Sequence, residues 1–363
     1  MAHIQNPLLN PLGAPAPAPV AAPAPVAAPA PKSFISRLFG KALPYPGQYD
    51  HINKETLEIF ATNYLIDGAK FSVSKGISYN FNISHTVNLG IENPSKYSFN
   101  ATYVGPNKVI PDSQEQFPVL LAEMDHDGNL NGQAIHQWTP AIRTKAVVQT
   151  SGPNFGLQLE GDYKGEDFHI NTKIFNPDVL NGAGMVLLNY MQSVTPRLAL
   201  GTEYRWQSDG RATDSGLAFG ARYRGGPTLA DAVANQQRLP AATADTPAET
   251  MPFAFMPAPW IFGTHVAPMG LIDFSYFHRV NDKVSAGAEL AIDLRSMETV
   301  FSAGYEYNLR RSVIRGDVNS RGVVSAVLEQ KMGAALSFYL TASIDHLKGA
   351  NKFGIGFVLG GHM

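Results

Sequence analysis

Beyond Gly68 the chain alternates apolar and polar residues with a period of two. Segment 81–90 sets Phe81, Ile83, Val87 and Leu89 against Asn82, Ser84, Thr86 and Asn88. Segment 154–163 sets Phe155, Leu157, Leu159 and Tyr163 against Asn154, Gln158, Glu160 and Asp162. The alternation returns at 197–206 (Leu198, Leu200, Tyr204, Trp206 against Glu203, Arg205) and at 335–344 (Leu336, Phe338, Leu340, Ile344 against Ser337, Thr341, Ser343). Side chains on a strand point alternately to opposite faces, so each segment predicts a strand with one greasy and one wet face. Asp127-Gly128, Asn181-Gly182 and Asp209-Gly210 punctuate them as hairpin turns. Counting gives about nineteen strands of roughly ten residues, the length that crosses a bilayer when tilted. Strands of a soluble sandwich are usually shorter, about 5–6 residues. Uniform strands without intervening βαβ helices favour one closed barrel, because closure removes edges that lipid would leave unsatisfied.

Three stretches break the pattern. Within 49–67, Leu57, Phe60, Ala61, Tyr64 and Leu65 recur at helical spacing over Lys54–Ile66, with Ile59 and Ile66 off the stripe. That predicts one amphipathic helix ahead of a β region spanning 68–361. An insertion at 225–259, rich in Ala, Pro, Thr and Gln, lacks alternation and reads as a long disordered loop. Residues 1–48 form a Pro/Ala-rich tail, with Pro recurring through much of Ala14–Pro31. Each interior Pro breaks helix bonding, so the tail is no membrane helix. No basic segment precedes an apolar one, and the first Lys or Arg is Lys32, which argues against secretory and transit peptides. The tail is expected to be disordered and semi-extended, as a solvated linker or a partner-docking arm.

Composition narrows the class. Charged residues are 16% of the 363, the net charge is −2, and cysteine is absent, which excludes disulfides and thiolate metal sites. A balance this close to neutral argues against nucleic-acid binding. Mean hydropathy is near zero, as expected where only alternate residues face lipid.

Candidate chemistry is sparse. Asp127-Gly-Asn129-Leu-Asn131-Gly132 fits the first half of a calcium loop, but the position of the bidentate Glu is Trp138. A hairpin turn is the better reading. The histidines (His85, His136, His169, His265, His278 and His346 among them) show no metal-ligand spacing. No nucleophile, phosphate-loop or metalloprotease motif stands in a usable context, so neither an enzyme nor a cofactor is predicted.

The ionisable residues fall instead on the face opposite the aliphatic stripe. The acids are Glu160, Asp162, Glu203, Asp273, Glu289 and Glu329; the bases include Arg143, Lys145, Lys173, Arg205 and Arg222. In a closed barrel that face lines the lumen, because lipid penalises each charge at mid-depth by a few kcal/mol. It is either a solvated wall or a water-filled conduit.

Phe117–Gln137 (FPVLLAEMDHDGNLNGQAIHQ) is similar to a stretch of the central channel of the mitochondrial translocase of the outer membrane (TOM). So are Ser84-His-Thr86, Ala101–Gly105, Asn176–Leu180, Tyr190–Gly201, Arg315-Gly316, Asn319-Ser320, Leu328-Glu329, His346 and Lys348. The likeness covers about 45–362, leaving the Pro/Ala tail and the insertion without counterpart. Lys352, Gly354, Phe357 and Leu359 resemble the C-terminal assembly signal of mitochondrial outer-membrane barrels. The resemblance implies a nineteen-strand barrel in that membrane with an N-terminal helical segment in the pore. It further implies passage of unfolded precursor proteins, their cationic targeting sequences meeting the acidic lumen patches. The implied partners are single-span TOM receptors and small TOM subunits, intermembrane-space chaperones, lipids and further barrels. Leu57, Phe60 and Leu65 are expected to pack the helix on the inner wall, with a helix lying on the membrane interface as the other arrangement. The rival functions are a metabolite porin like the voltage-dependent anion channel, and a soluble β-rich binding protein.

Overall fold

A computed structural model describes residues 43–91, 94–109, 115–178, 182–226, 260–268, 270–333 and 335–361. The first strands are β1 (Gly68–Ser78), β2 (Phe81–Leu89), β3 (Lys96–Asn107), β4 (Phe117–Asp125), β5 (Leu130–Thr139), β6 (Ile142–Ser151) and β7 (Asn154–Lys164). They continue as β8 (Phe168–Asp178), β9 (Ala183–Ser193), β10 (Leu198–Asp209), β11 (Thr213–Gly225), β12 (Trp260–Val266) and β13 (Leu271–Arg279). The last are β14 (Val284–Asp293), β15 (Glu298–Asn308), β16 (Ser312–Asn319), β17 (Val323–Lys331), β18 (Leu336–Asp345) and β19 (Ala350–Gly361). All nineteen belong to one closed sheet. Successive strands pair antiparallel, so an odd number leaves the first and last running the same way. The seam is accordingly parallel, with Gly68 opposite Gly354 and Lys75 opposite Gly361.

The outer face carries exposed large apolar side chains, among them Phe71, Leu120, Leu159, Leu200, Leu217, Phe301 and Leu340. In water such a belt would drive association; in lipid it is solvated. Among the described residues no helix is long and apolar enough to cross a membrane. The small buried apolar cluster lies inside the barrel, where Tyr49 and Ile52 meet Met191 and Ala199.

Hairpins turn where short polar side chains can replace ladder bonds. Asp209 Oδ1 accepts from the backbone N–H of Arg211 at 2.9 Å and of Ala212 at 2.8 Å, and Gly210 takes φ +82°. At Asp125–Gly128 the Gly128 N–H donates to Asp125 O at 3.0 Å with φ +80°, so the half-matched calcium loop is a hairpin turn. Asp125, His126 and Asp127 lie close enough to share an ion. However, His126 Nδ1 already bonds Asp125 Oδ1 at 2.7 Å on an exposed turn. Asn181 of the third predicted turn lies outside the described residues, as do residues 1–42 of the tail and 227–259 of the insertion.

Strand direction fixes which ends share a mouth. β9, β11 and β19 end on the same side, and β12 begins there. The N-terminal segment enters at that mouth, where Ser193 Oγ donates to Pro44 O at 2.6 Å and Arg224 Nη2 to Pro46 O at 3.0 Å. Protease-cleavable tags at Leu43, at Gly226 and at Gly361 should therefore be protected or cut together in sealed membranes. Separate cleavage of any one would contradict this topology.

Candidate functional site

Residues 43–66 cross the lumen along the wall from that mouth to the start of β1. Inside 49–67, the α-helix α1 covers only Lys54–Ile59. Phe60 leaves the helical region at φ −67°, ψ 125°, and a 3-10 turn follows over Ala61–Tyr64. The single helix expected over Lys54–Ile66 is therefore corrected to a broken one. A helix this short is marginal by itself, so bonds to the wall decide its course. The Thr62 N–H, for one, donates to Asp317 Oδ1 at 3.0 Å rather than into the helix.

The packing face is corrected with it. Leu57 is 41% exposed, whereas Thr56 and Ile59, neither of them on the expected stripe, are each 2% exposed. Phe60 is buried and Leu65 half-buried. Residues 43–48, read from sequence as part of the tail, are also on the wall through the Pro44 and Pro46 contacts. Lys164 lies 4.7 Å from the Tyr45 ring centroid. Burial, then Asp162, pushes the Tyr45 phenol up to about 12, so it stays neutral.

The seat has a consistent construction. Every strand from β8 to β19 presents a group to the segment, and several present a glycine at the contact. A Cβ on Gly201 would stand 2.6 Å from Tyr49 Cδ2, and one on Gly220 2.4 Å from Ile52 Cδ1. On Gly263 it would lie 2.8 Å from Asn53 Oδ1, and on Gly304 2.8 Å from Phe60 Cδ1. Gly354 and Gly356 make the same room for Ile66. Between them, polar groups tie the segment down. Lys173 pairs with Asp50 and Arg222 with Glu55. Ser275 Oγ donates to Asn53 Oδ1 at 2.8 Å, Thr62 Oγ1 to Asp317 Oδ2 at 2.8 Å, and Ile66 N to Thr341 Oγ1 at 3.2 Å. Arg315 lies 4.2 Å from the Tyr64 ring centroid.

Register puts all eleven charged residues singled out from sequence on the inner face. Lys145, Glu160 and Lys173 stand side by side on β6–β8, as do Arg143 and Asp162 on β6 and β7. Glu203, Arg205, Arg222, Asp273, Glu289 and Glu329 share that parity around the barrel. The acids are not equivalent. Glu160 is held by Lys145 at 3.9 Å, and Asn171 donates to Glu160 at 2.8 Å and to Asp162 at 2.7 Å. Asp273 faces His265 at 3.6 Å, and Glu329 faces Arg315 at 3.6 Å. Glu203 and Glu289 make no ion pair among the described residues. Arg205 reaches Asp214 at 3.7 Å, and Arg143 lies 5.8 Å from the Phe117 ring centroid.

In the closing strand, Lys352 and Gly354 point inward, while Phe357 and Leu359 stand on the lipid face. Sequence reasoning missed Asp50, Glu55, Asp317 and the glycine seats. For Asp317 and the glycines the signal is inward parity on successive strands, which only a known register gathers; Asp50 and Glu55 lie on the segment and are identified by their partners Lys173 and Arg222.

A cavity of about 200 Å³ lies in the lumen against Glu203, Arg205, Gly216 and Ala218 on β10 and β11, and two larger ones lie elsewhere on the wall. One of about 460 Å³ is lined by Lys70, Asn88, Ser98, Glu123, Asn131 and Gln149 among others. Another of about 570 Å³ separates Tyr45, Gln48 and Asp50 from Arg143, Lys145 and Gln158. Both press against β1–β8, the arc that the segment leaves largely bare.

Comparison with known proteins agrees with this geometry. The model of the eukaryotic porin family matches residues 45–354. Over 321 residues the chain is 33% identical to the Mus musculus mitochondrial import receptor subunit TOM40 homolog, covering 87% of this chain and 78% of that one. It is 32% identical to the Xenopus tropicalis homolog (87% and 84% covered). It is 31% identical to the Drosophila melanogaster TOM40 homolog 2 (88% and 85%).

Proposed function

The chain belongs to the eukaryotic porin family and, within it, to the TOM40 import receptor subunits, and on that premise we propose that it is the protein-conducting channel of the mitochondrial outer membrane. It passes unfolded precursor proteins across or into that membrane. The observation that carries this is the half-bare lumen. Nineteen strands exceed the roughly eight whose interior side chains fill a barrel, and the segment covers the wall only from β8 round to β19. An extended chain or a single helix, about 10–12 Å across with side chains, passes along the open arc, whereas a folded domain does not. The metabolite-porin alternative loses to the import subunits among its relatives.

Glu203 and Glu289 are the acidic stations for cationic targeting sequences, with Glu160, Asp162, Asp273 and Glu329 adding to the field from beside their partners. Each exposed pair with a passing cation is worth only about 0–1 kcal/mol, so the attraction is additive, fades with salt and lets the chain leave. Lys145, Lys173, Arg205 and Arg222 are largely spent on holding partners or the segment. The protein is a TOM-complex member, and we assign single-span receptors, small TOM subunits and further barrels to its lipid face, with intermembrane-space chaperones taking over the emerging chain. It carries no catalytic step of its own.

The test is an arrested precursor and a photocrosslinking residue placed in turn at Glu203, Glu289 and Gln149, with lipid-facing Leu200 and Phe301 as controls. Labelling from the three inner positions alone is expected. Labelling from none of them ends the conduit reading.

A further inference from the structure

The two halves of the lumen wall differ in what their amides do. On the covered arc Asn171 donates to Glu160 and Asp162, Asn189 to Asp50 at 3.2 Å, and Asn308 to Glu306 at 2.6 Å. On the bare arc Asn82, Asn100, Asn131, Gln133, Gln149 and Gln158 make no side-chain hydrogen bond among the described residues. A buried amide oxygen without a donor occurs on both arcs, at Asn82, Asn88 and Asn131 and at Asn171 and Asn189, so the difference between the arcs lies in the amide N–H groups.

These residues are ordered, not scattered. Ser84, Asn100, Glu123, Asn131 and Gln149 stand side by side on β2–β6. The next inner rung is Asn82, Thr102, Leu121, Gln133, Val147 and Gln158 on β2–β7. All but Glu123, Leu121 and Val147 offer an amide or a hydroxyl. Neighbouring strands are about 4.7–4.9 Å apart, so the two rungs make a near-continuous polar, almost uncharged strip that borders the two larger lumen cavities.

From this we infer that the β2–β7 arc is a track that hydrogen-bonds the main chain of an extended polypeptide in transit. The inference rests on the conduit reading above and adds what the conduit recognises. An amide both donates and accepts, so it can bond the N–H and C=O groups that every residue of a passing chain presents, whatever its side chain. Such recognition is indifferent to sequence, which acidic stations are not. Bonds exchanged with water are individually weak, so no single contact holds the chain.

The experiment uses the full-length channel in planar bilayers and a short uncharged Ser/Gly/Ala peptide, compared with the same peptide methylated on alternate backbone nitrogens. Methylation removes donors without adding charge. Blockade times of the unmethylated peptide should be longer by roughly three- to tenfold, the loss of one or two net hydrogen bonds. The difference should vanish in an Asn100→Leu, Gln133→Leu, Gln149→Leu channel. Equal blockade times for the two peptides in the unmodified channel would overturn this inference alone. No blockade by either peptide would overturn the conduit reading and this inference with it.

Discussion

Replacing Gly220 and Gly263 together by valine should unseat the N-terminal segment while leaving the barrel closed. A Cβ on Gly220 would stand 2.4 Å from Ile52 Cδ1 and 2.9 Å from Tyr49 Cε2. One on Gly263 would meet the end of the Ser275 side chain, Oγ, at 2.5 Å, Asn53 Oδ1 at 2.8 Å and Ile52 Cγ2 at 3.0 Å. Tyr49, Ile52 and Asn53 of the segment are thus squeezed from two neighbouring strands, and overpacking costs about 1–3 kcal/mol per site. The strands can absorb valine, which suits a β-ladder; the segment has nowhere to retreat except into the lumen. Because the chain lacks cysteine, a Thr56→Cys probe reports the seat cleanly: Thr56 is 2% exposed when docked. Modification of that cysteine by a soluble maleimide should accelerate about tenfold or more in the double variant, the factor that a ~1.4 kcal/mol shift produces. Gly76→Val is the control, since a Cβ there meets nothing within 4 Å. Unchanged protection in the double variant would mean that the glycines are not the seat.

The same geometry explains why an inner face so rich in charge need not be a sticky one. The segment neutralises part of the wall, Asp50 against Lys173 and Glu55 against Arg222, and confines that pairing to one side. What faces the bare arc is mostly the weaker chemistry of amides and hydroxyls, with Lys70, Glu123, Arg143 and Lys145 spaced among them. Fixing the segment therefore decides both the width of the passage and which wall a passing chain meets.

The faces of this barrel were legible in the sequence because the wall is one strand thick. Each residue has only two environments, so parity alone sends Phe155 and Leu159 to lipid and Gln158 and Glu160 to the lumen. Register was not legible. Lys173 stands beside Glu160 in the ladder, yet its ammonium pairs with Asp50, which lies 123 residues away in the chain. Nothing in local pattern separates a committed acid such as Asp162 from an unpaired one such as Glu289. The segment misled for a related reason. Its stripe at Leu57, Phe60 and Leu65 fits a straight helix, but the seat curves across a dozen strands, and a helix cannot bend to follow it. Ile59 takes the wall, and Leu57 is left toward the lumen. Glycines in strands read as weak points until the register lines up Gly201, Gly220 and Gly263 under one chain.

Replacing Phe357 by arginine should block assembly of the barrel rather than transport through it. Phe357 is 36% exposed on the lipid face of β19. Its ring centroid lies 5.2 Å from that of Phe338 of β18, the two planes tilted by 51°, and its ladder partner on the other side is Phe71 of β1. The seam is closed by these three rings on the outside and by hydrogen bonds within, and β19 must bond β1 before any edge is hidden from lipid. An arginine at mid-depth costs about 2–4 kcal/mol, and it falls on the last pairing to form, where no finished sheet yet compensates. The variant should reach mitochondria yet remain extractable by carbonate and absent from the assembled complex on native gels. Phe357→Leu keeps the apolar face and should assemble. Lys352→Gln, on the lumen side of the same strand, separates a signal read from the whole strand from a simple lipid-face penalty: loss of assembly there assigns the strand to recognition, and normal assembly leaves the penalty as the cause. A Phe357→Arg protein that assembles normally would remove the closing strand's lipid face from the account of how this barrel forms.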